Sequence, residues 1–123
     1  MLTVLVVDDN VDVATTLAML IELNGHDVEV AYDGFGAIEK AKARLPQVAI
    51  IDIGMPGMDG YELAGELRRV EGGERIAVAT ITGYGSLQDR QRSAQAGIEL
   101  HLTKPANPVQ ILAFLQDVES RPQ

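Results

Sequence analysis

Four apolar runs in this chain each stop on a residue that could do chemistry. LTVLVV runs into Asp8 and Asp9, QVAII into Asp52, IAVATI into Thr82, and IELHLT into Lys104. If the runs are parallel strands, their carboxyl ends lie side by side. Three carboxylates, a hydroxyl and an ammonium then share one sheet edge. Carboxylates bind hard cations, and a lysine and a hydroxyl beside them can hold phosphoryl oxygens. Each residue also has an ordinary structural use. Aspartate after a strand caps turns and helices, threonine ends loops, and lysine reaches solvent. Those uses leave their gathering at one edge unexplained.

The elements that would place them alternate along the chain. Strand-like runs span Thr3–Val7, Asp27–Ala31, Gln47–Ile51, Ile76–Ile81 and Ile98–Leu102. Helical patterns lie between them. Val13, Leu17 and Leu20 repeat before Gly25; Ala37, Ile38, Ala41 and Leu45 before Pro46; Leu63, Leu67 and Val70 before Gly72. Ser86 and Asp89 form a capping box for a helix that Gly97 ends, and Asn107-Pro108 opens the last helix, with Ile111, Leu112, Leu115 and Val118 on its apolar stripe. Strand alternating with helix gives a parallel sheet covered on both faces. The first, third and fourth runs are nearly all apolar, as central strands are. The second and fifth alternate, as edge strands do. Right-handed crossovers then give a (βα)5 doubly wound sheet of order 2-1-3-4-5, flavodoxin-like. Its ligand crevice lies outside strands 1 and 3, where Asp8, Asp9 and Asp52 sit.

The bulk composition narrows the classes. A chain of 123 residues with 46% apolar content can bury a core as one domain, here about residues 2–118 with a frayed tail at 120–123. With no cysteine it has no disulfide and no thiolate metal site, which suits a cytoplasmic protein. Met1 leads straight into a strand-like run with no basic n-region or cleavage site, so no signal peptide is expected. The longest nearly apolar stretch, Leu17 to Leu23, is broken by Glu22, so no membrane insertion is expected. The net charge of −8 repels phosphate backbones and argues against direct nucleic-acid binding.

The segments VLVVDDN, AIIDIGMPGMDGYEL, ATITGYG and HLTKP, in this order and spacing, resemble the receiver domain of two-component response regulators. The resemblance runs from Leu2 to about Val118. The wording around the motifs is closest to receivers attached to hybrid sensor histidine kinases. It implies that Asp52 is the phosphoryl acceptor. It implies that Asp9, Asp52 and the Gly54 carbonyl bind Mg²⁺, with Asp8 holding the ion through water. Lys104 would pair with a phosphoryl oxygen, and Pro105 would follow a cis peptide. Thr82 would be the switch, in a loop made pliable by Gly83 and Gly85 around Tyr84, with an aromatic ring filling the space its hydroxyl leaves. That position holds His101, where the family more often has tyrosine or phenylalanine; the ring is smaller and titrates near neutral pH. With the last helix, His101 and the weakly anchored Ser86–Ala96 helix would form the surface that changes. Met55 and Met58 flank the Asp52 loop as packing or partner contacts. The implied partners are a sensor histidine kinase, or a parent kinase chain, and a downstream protein effector.

Other readings use parts of the same set. A Mg²⁺-dependent aspartyl phosphatase of the haloacid dehalogenase type needs two aspartates two positions apart after one strand, and a cap domain. Here Asp8 and Asp9 are adjacent and the acceptor candidate is on another strand. A flavodoxin-type flavin carrier needs a hydroxyl- and glycine-rich phosphate cradle after strand 1, where this chain has Asp-Asp-Asn-Val. A receiver fold without phosphorylation is the remaining reading. The expectation is a switch that catalyses only its own phosphorylation and dephosphorylation, not a metabolic enzyme.

Overall fold

A computed structural model describes residues 1–83 and 97–122. In chain order the elements are β1 (Thr3–Val7), α1 (Val11–Leu23), β2 (Asp27–Ala31), α2 (Gly34–Ala43), β3 (Val48–Asp52), α3 (Gly60–Arg69), β4 (Ala77–Thr82), β5 (Leu100–Thr103) and α4 (Pro108–Glu119), with a short 3-10 turn at Gly73–Arg75. The helix expected from Ser86, with Tyr84 and Gly85 before it, lies outside the described residues.

Every strand pair is parallel, and the order is β2-β1-β3-β4-β5. This is the doubly wound arrangement expected from the sequence. Alternation along the strands divides the core. Val4, Val6, Val48, Ile50, Ala79 and Ile81 face α1 and α4. Leu5, Val7, Ala49, Ile51 and Val78 face α2 and α3. Truncating one fully buried residue such as Leu63 to alanine costs about 2–5 kcal/mol.

Each of the four described helices starts on an Asn or Asp whose side chain accepts a backbone N–H. Asn10 accepts from Val13, Asp33 from Gly36, Asp59 from Glu62, and Asn107 from Val109 just past Pro108. Gly25 stops α1 at φ 89°, a conformation other residues resist.

Three details differ from the sequence reading. β3 and β4 run one residue further than expected, because Asp52 pairs with Ile81 and Thr82 with Thr103. Asp52 and Thr82 are therefore the last rungs of the sheet, not loop residues. β5 begins at Leu100, not Ile98, although the Glu99 amide still bonds Val78. The buried residues of α1 are Ala14, Ala18 and Ile21, while of the apolar repeat Val13, Leu17 and Leu20 only Leu17 packs, partly buried, against the core. Small residues let the helix axis approach the sheet. The larger ones, with Val13 42% exposed, turn toward a groove beside α4. At the chain's far end Arg121 is held by Glu99 at 2.9 Å and Asp117 at 2.8 Å.

Candidate functional site

Asp52 ends β3, a central strand flanked by β1 and β4. Its side chain is only 3% exposed, and Oδ1 lies 3.3 Å from Nζ of Lys104. The same oxygen accepts the Gly54 N–H at 3.2 Å. A buried carboxylate is costly unless paired and hydrogen-bonded, and these two donors offset that cost.

Asp8 follows β1 directly. Its backbone N–H donates to Ala31 at 3.1 Å, extending the ladder one residue past the strands. Its Oδ1 accepts the Asn10 N–H at 2.9 Å, and Asn10 in turn caps α1. One short segment thus fixes the β1–α1 turn and presents Asp8 and Asp9. Asp8 is buried and Asp9 exposed.

Ligand oxygens of Asp8, Asp9 and Asp52 all lie within 4.8 Å of one another. Burial pushes the Asp8 carboxyl above its ordinary value; the Asn10 amide opposes this, the Asp52 and Asp9 charges add to it, and Lys104 counters them. The cluster is electrostatically loaded, and a dication would relieve it. The donors are all hard oxygens. Few protein ligands are offered, so waters can complete an octahedron, and the set fits Mg²⁺ better than Ca²⁺.

Lys104 follows β5. Its backbone N–H donates to the Thr82 carbonyl at 2.7 Å, which ties the lysine to the end of β4. The Lys104–Pro105 peptide is cis. The lysine also borders a groove of about 710 Å³ between α1 and α4, lined by Leu17, Leu20, Ile81 and Pro105 among others. Thr82 is half-buried on the last rung of β4. Gly54 is exposed beside Asp52.

His101 stands in register with Thr80, not with Thr82. Its Nδ1 lies 2.9 Å from the Thr80 hydroxyl, and Thr80 is 0% exposed. Sequence reading passed over Thr80 as part of an apolar run. The available signal was a hydroxyl two residues before Thr82, hence on the same face of the strand. Arg68 was also missed. Its guanidinium donates to the carbonyls of Gly73 at 3.1 Å, Gly97 at 2.8 Å, and Ile76. It clamps the start of β4 to the approach to β5. Neither Gly34 nor its neighbour Met58 stood out as part of one contact, because they are far apart in the chain.

Comparison with known proteins agrees with this geometry. The family model for the response regulator receiver domain matches residues 4–116. An uncharacterized 14.6 kDa protein in the sodA1 3′ region of Leptolyngbya boryana is 34% identical over 113 residues, covering 92% of this chain and 86% of its own. Response regulator MprA of Mycobacterium ulcerans is 33% identical over 113 residues, covering 92% of this chain and 48% of its own. The chain thus spans about half the length of the MprA relatives it matches. The solved structure of the chemotaxis protein CheY4 of Vibrio cholerae superposes with a TM-score of 0.90 at 31% identity, over 96% of this chain and 98% of that one. Among the described residues no helix is long and apolar enough to cross a membrane. With the family model spanning nearly the whole chain and the fold shared, this protein belongs to the response regulator receiver domain family.

Proposed function

We propose that Asp52 accepts a phosphoryl group from the phosphohistidine of a sensor histidine kinase, with Mg²⁺ at Asp8, Asp9, Asp52 and the Gly54 carbonyl. The observation that carries this reading is the buried Asp52 carboxylate held against Lys104 at 3.3 Å, with Asp8 and Asp9 beside it.

A carboxylate oxygen of Asp52 attacks phosphorus. The new P–O bond makes an acyl phosphate, and the P–N bond breaks with its electron pair returning to the imidazole. Bound Mg²⁺ would offset the converging negative charge and take a phosphoryl oxygen. Lys104 already sits on the acceptor carboxylate; as the phosphoryl group arrives, its ammonium moves to a phosphoryl oxygen by a charge-assisted bond. The burial of Asp8 and Asp52 limits water at the reacting atoms. Thr82 donates its hydroxyl to another phosphoryl oxygen, and His101 responds to that movement. The outcome is a changed protein-binding surface read by a downstream effector.

On this reading the chain is a cytoplasmic switch in a phosphorelay. It catalyses only its own phosphorylation and dephosphorylation and turns over no metabolite. Amide NMR with beryllofluoride and Mg²⁺ tests the switch. Wild type should show large shifts at Thr82, Gly83 and Lys104, and Thr82→Ala should still bind the mimic with smaller shifts beyond the site. Full wild-type shifts without the hydroxyl refute the role of Thr82.

A further inference from the structure

We propose that Gly34 is a positioning residue for the loop that follows the acceptor aspartate: its missing side chain lets Met58 lie across the start of α2, which holds residues 53–59 in place over Asp52. The proposal rests on the phosphoryl-acceptor reading of the site.

The loop between β3 and α3 carries Gly54, whose amide bonds Oδ1 of Asp52. Its base is closed by Gly60, whose N–H donates to the Ile53 carbonyl at 3.1 Å. A Cβ on Gly60 would come within 2.8 Å of the Ile53 Cα, so that close approach needs glycine. Met55 lodges in the core on the α2–α3 side. Past the Pro56-Gly57 turn, Met58 leans away from the loop onto α2.

The contact at α2 is close. A Cβ built on Gly34 would meet the Met58 side chain at 2.6 Å from Sδ, 3.1 Å from Cγ and 3.0 Å from Cβ. The thioether can swing aside. The Met58 Cβ can leave only if its main chain moves. An alanine at position 34 therefore forces a shift of a few tenths of an ångström between α2 and the loop, and the proposal is that the loop yields.

Backbone conformation does not account for this glycine. Gly34 is the first residue of α2, and it is absent from the glycines with positive φ. Alanine would suit that helical position better than glycine does. The seat for Met58 is what an alanine would take away. A displacement this small matters because Mg²⁺ tolerates little departure from octahedral geometry. Gly54 lies only four residues before Met58 on the same loop.

The test compares Gly34→Ala in the wild-type and Met58→Gly backgrounds. Calorimetric titration of Mg²⁺ into metal-free protein gives the affinity, and the Gly54 amide resonance reports the loop without metal. Gly34→Ala alone should weaken Mg²⁺ binding several-fold and shift the Gly54 amide. In the Met58→Gly background, which removes the Met58 Cβ as well as the thioether, the same change should do neither and should raise the melting temperature through helix propensity. Equal losses in both backgrounds would place the effect in α2 itself and overturn the proposal, as would an unchanged Gly54 amide in Gly34→Ala. If Gly34→Ala fails to fold, the double variant should fold and bind Mg²⁺ like Met58→Gly; a double variant that also fails overturns it. A wild type that takes up no Mg²⁺ would sink the reading of the site, while the Gly54 amide would still decide whether the contact positions the loop.

Discussion

The Thr80 hydroxyl lies 2.9 Å from Nδ1 of His101 across the β4–β5 ladder, two residues before the Thr82 rung. The ring at the expected switch position is thus anchored to a side chain with no exposure of its own. Thr80→Val keeps the shape and removes the bond. It should destabilise the fold by about 1 kcal/mol, and pairing it with His101→Phe should recover part of that, because an apolar pair leaves no unmet polar group. Denaturant midpoints of the two single variants and the double variant measure the coupling. Strictly additive effects would show that the contact carries no energy.

Asp8 gives a pH dependence. Its folded-state carboxyl is raised, chiefly by burial, so the folded chain binds this proton more tightly than the unfolded one. Stability is then lost as pH rises from the ordinary carboxylate range through the folded value, and the loss is complete at neutral pH. Asp8→Asn should raise the melting temperature of metal-free protein by a few degrees at neutral pH. That gain should fade on acidification below the carboxylate range. With Mg²⁺ present the order should reverse, because the variant loses a ligand-bound stabilisation. A gain independent of pH would mean that the charge of Asp8 is not its cause.

Lys104→Ala removes the ammonium from Asp52. The lysine side chain is 43% exposed, so solvent screens the pair, and the cost to metal-free stability should be only about 1 kcal/mol. Uptake of a phosphoryl group should fall much further, since the lysine then has a phosphoryl oxygen to hold. Melting curves alongside the rate of phosphorylation separate the two. A loss of stability with an unchanged rate would confine Lys104 to a structural role.

Arg68 holds the carbonyls of Gly73, Ile76 and Gly97 with one guanidinium. Arg68→Ala should cost about 2–3 kcal/mol, as hydrogen bonds from a charged group do when they are lost. Arg68→Lys should recover little of this, because an ammonium lacks the planar fork. The midpoint of urea unfolding measures both. Full recovery by lysine would mean that charge alone, not geometry, makes the clamp.

What could be read from the sequence follows from where its signals are local. Continuous apolar runs marked β1, β3 and β4, and the two alternating runs marked the edges, so the strand order was legible. Asp8, Asp9, Asp52 and Lys104 were legible because each directly follows, or ends, such a run. The facing of α1 was not. Val13, Leu17 and Leu20 make a stronger apolar stripe than Ala14, Ala18 and Ile21, but close helix-to-sheet packing selects the smaller residues. Thr80, Arg68 and Gly34 escaped notice because their partners are distant in sequence: His101 across a ladder, Gly97 beyond the next strand, Met58 in another loop. Contacts of that kind depend on topology and leave no periodic trace.

The most direct test of the central claim is the mass of the intact protein after incubation with a small acyl-phosphate donor and Mg²⁺. Wild type should gain one phosphoryl group, lose it when the acyl phosphate hydrolyses, and gain none when the metal is chelated. Asp52→Asn should gain none under any of these conditions. Equal labelling of wild type and Asp52→Asn, or labelling of wild type that ignores Mg²⁺, would contradict the assignment of Asp52 as the acceptor in a carboxylate-bound metal site.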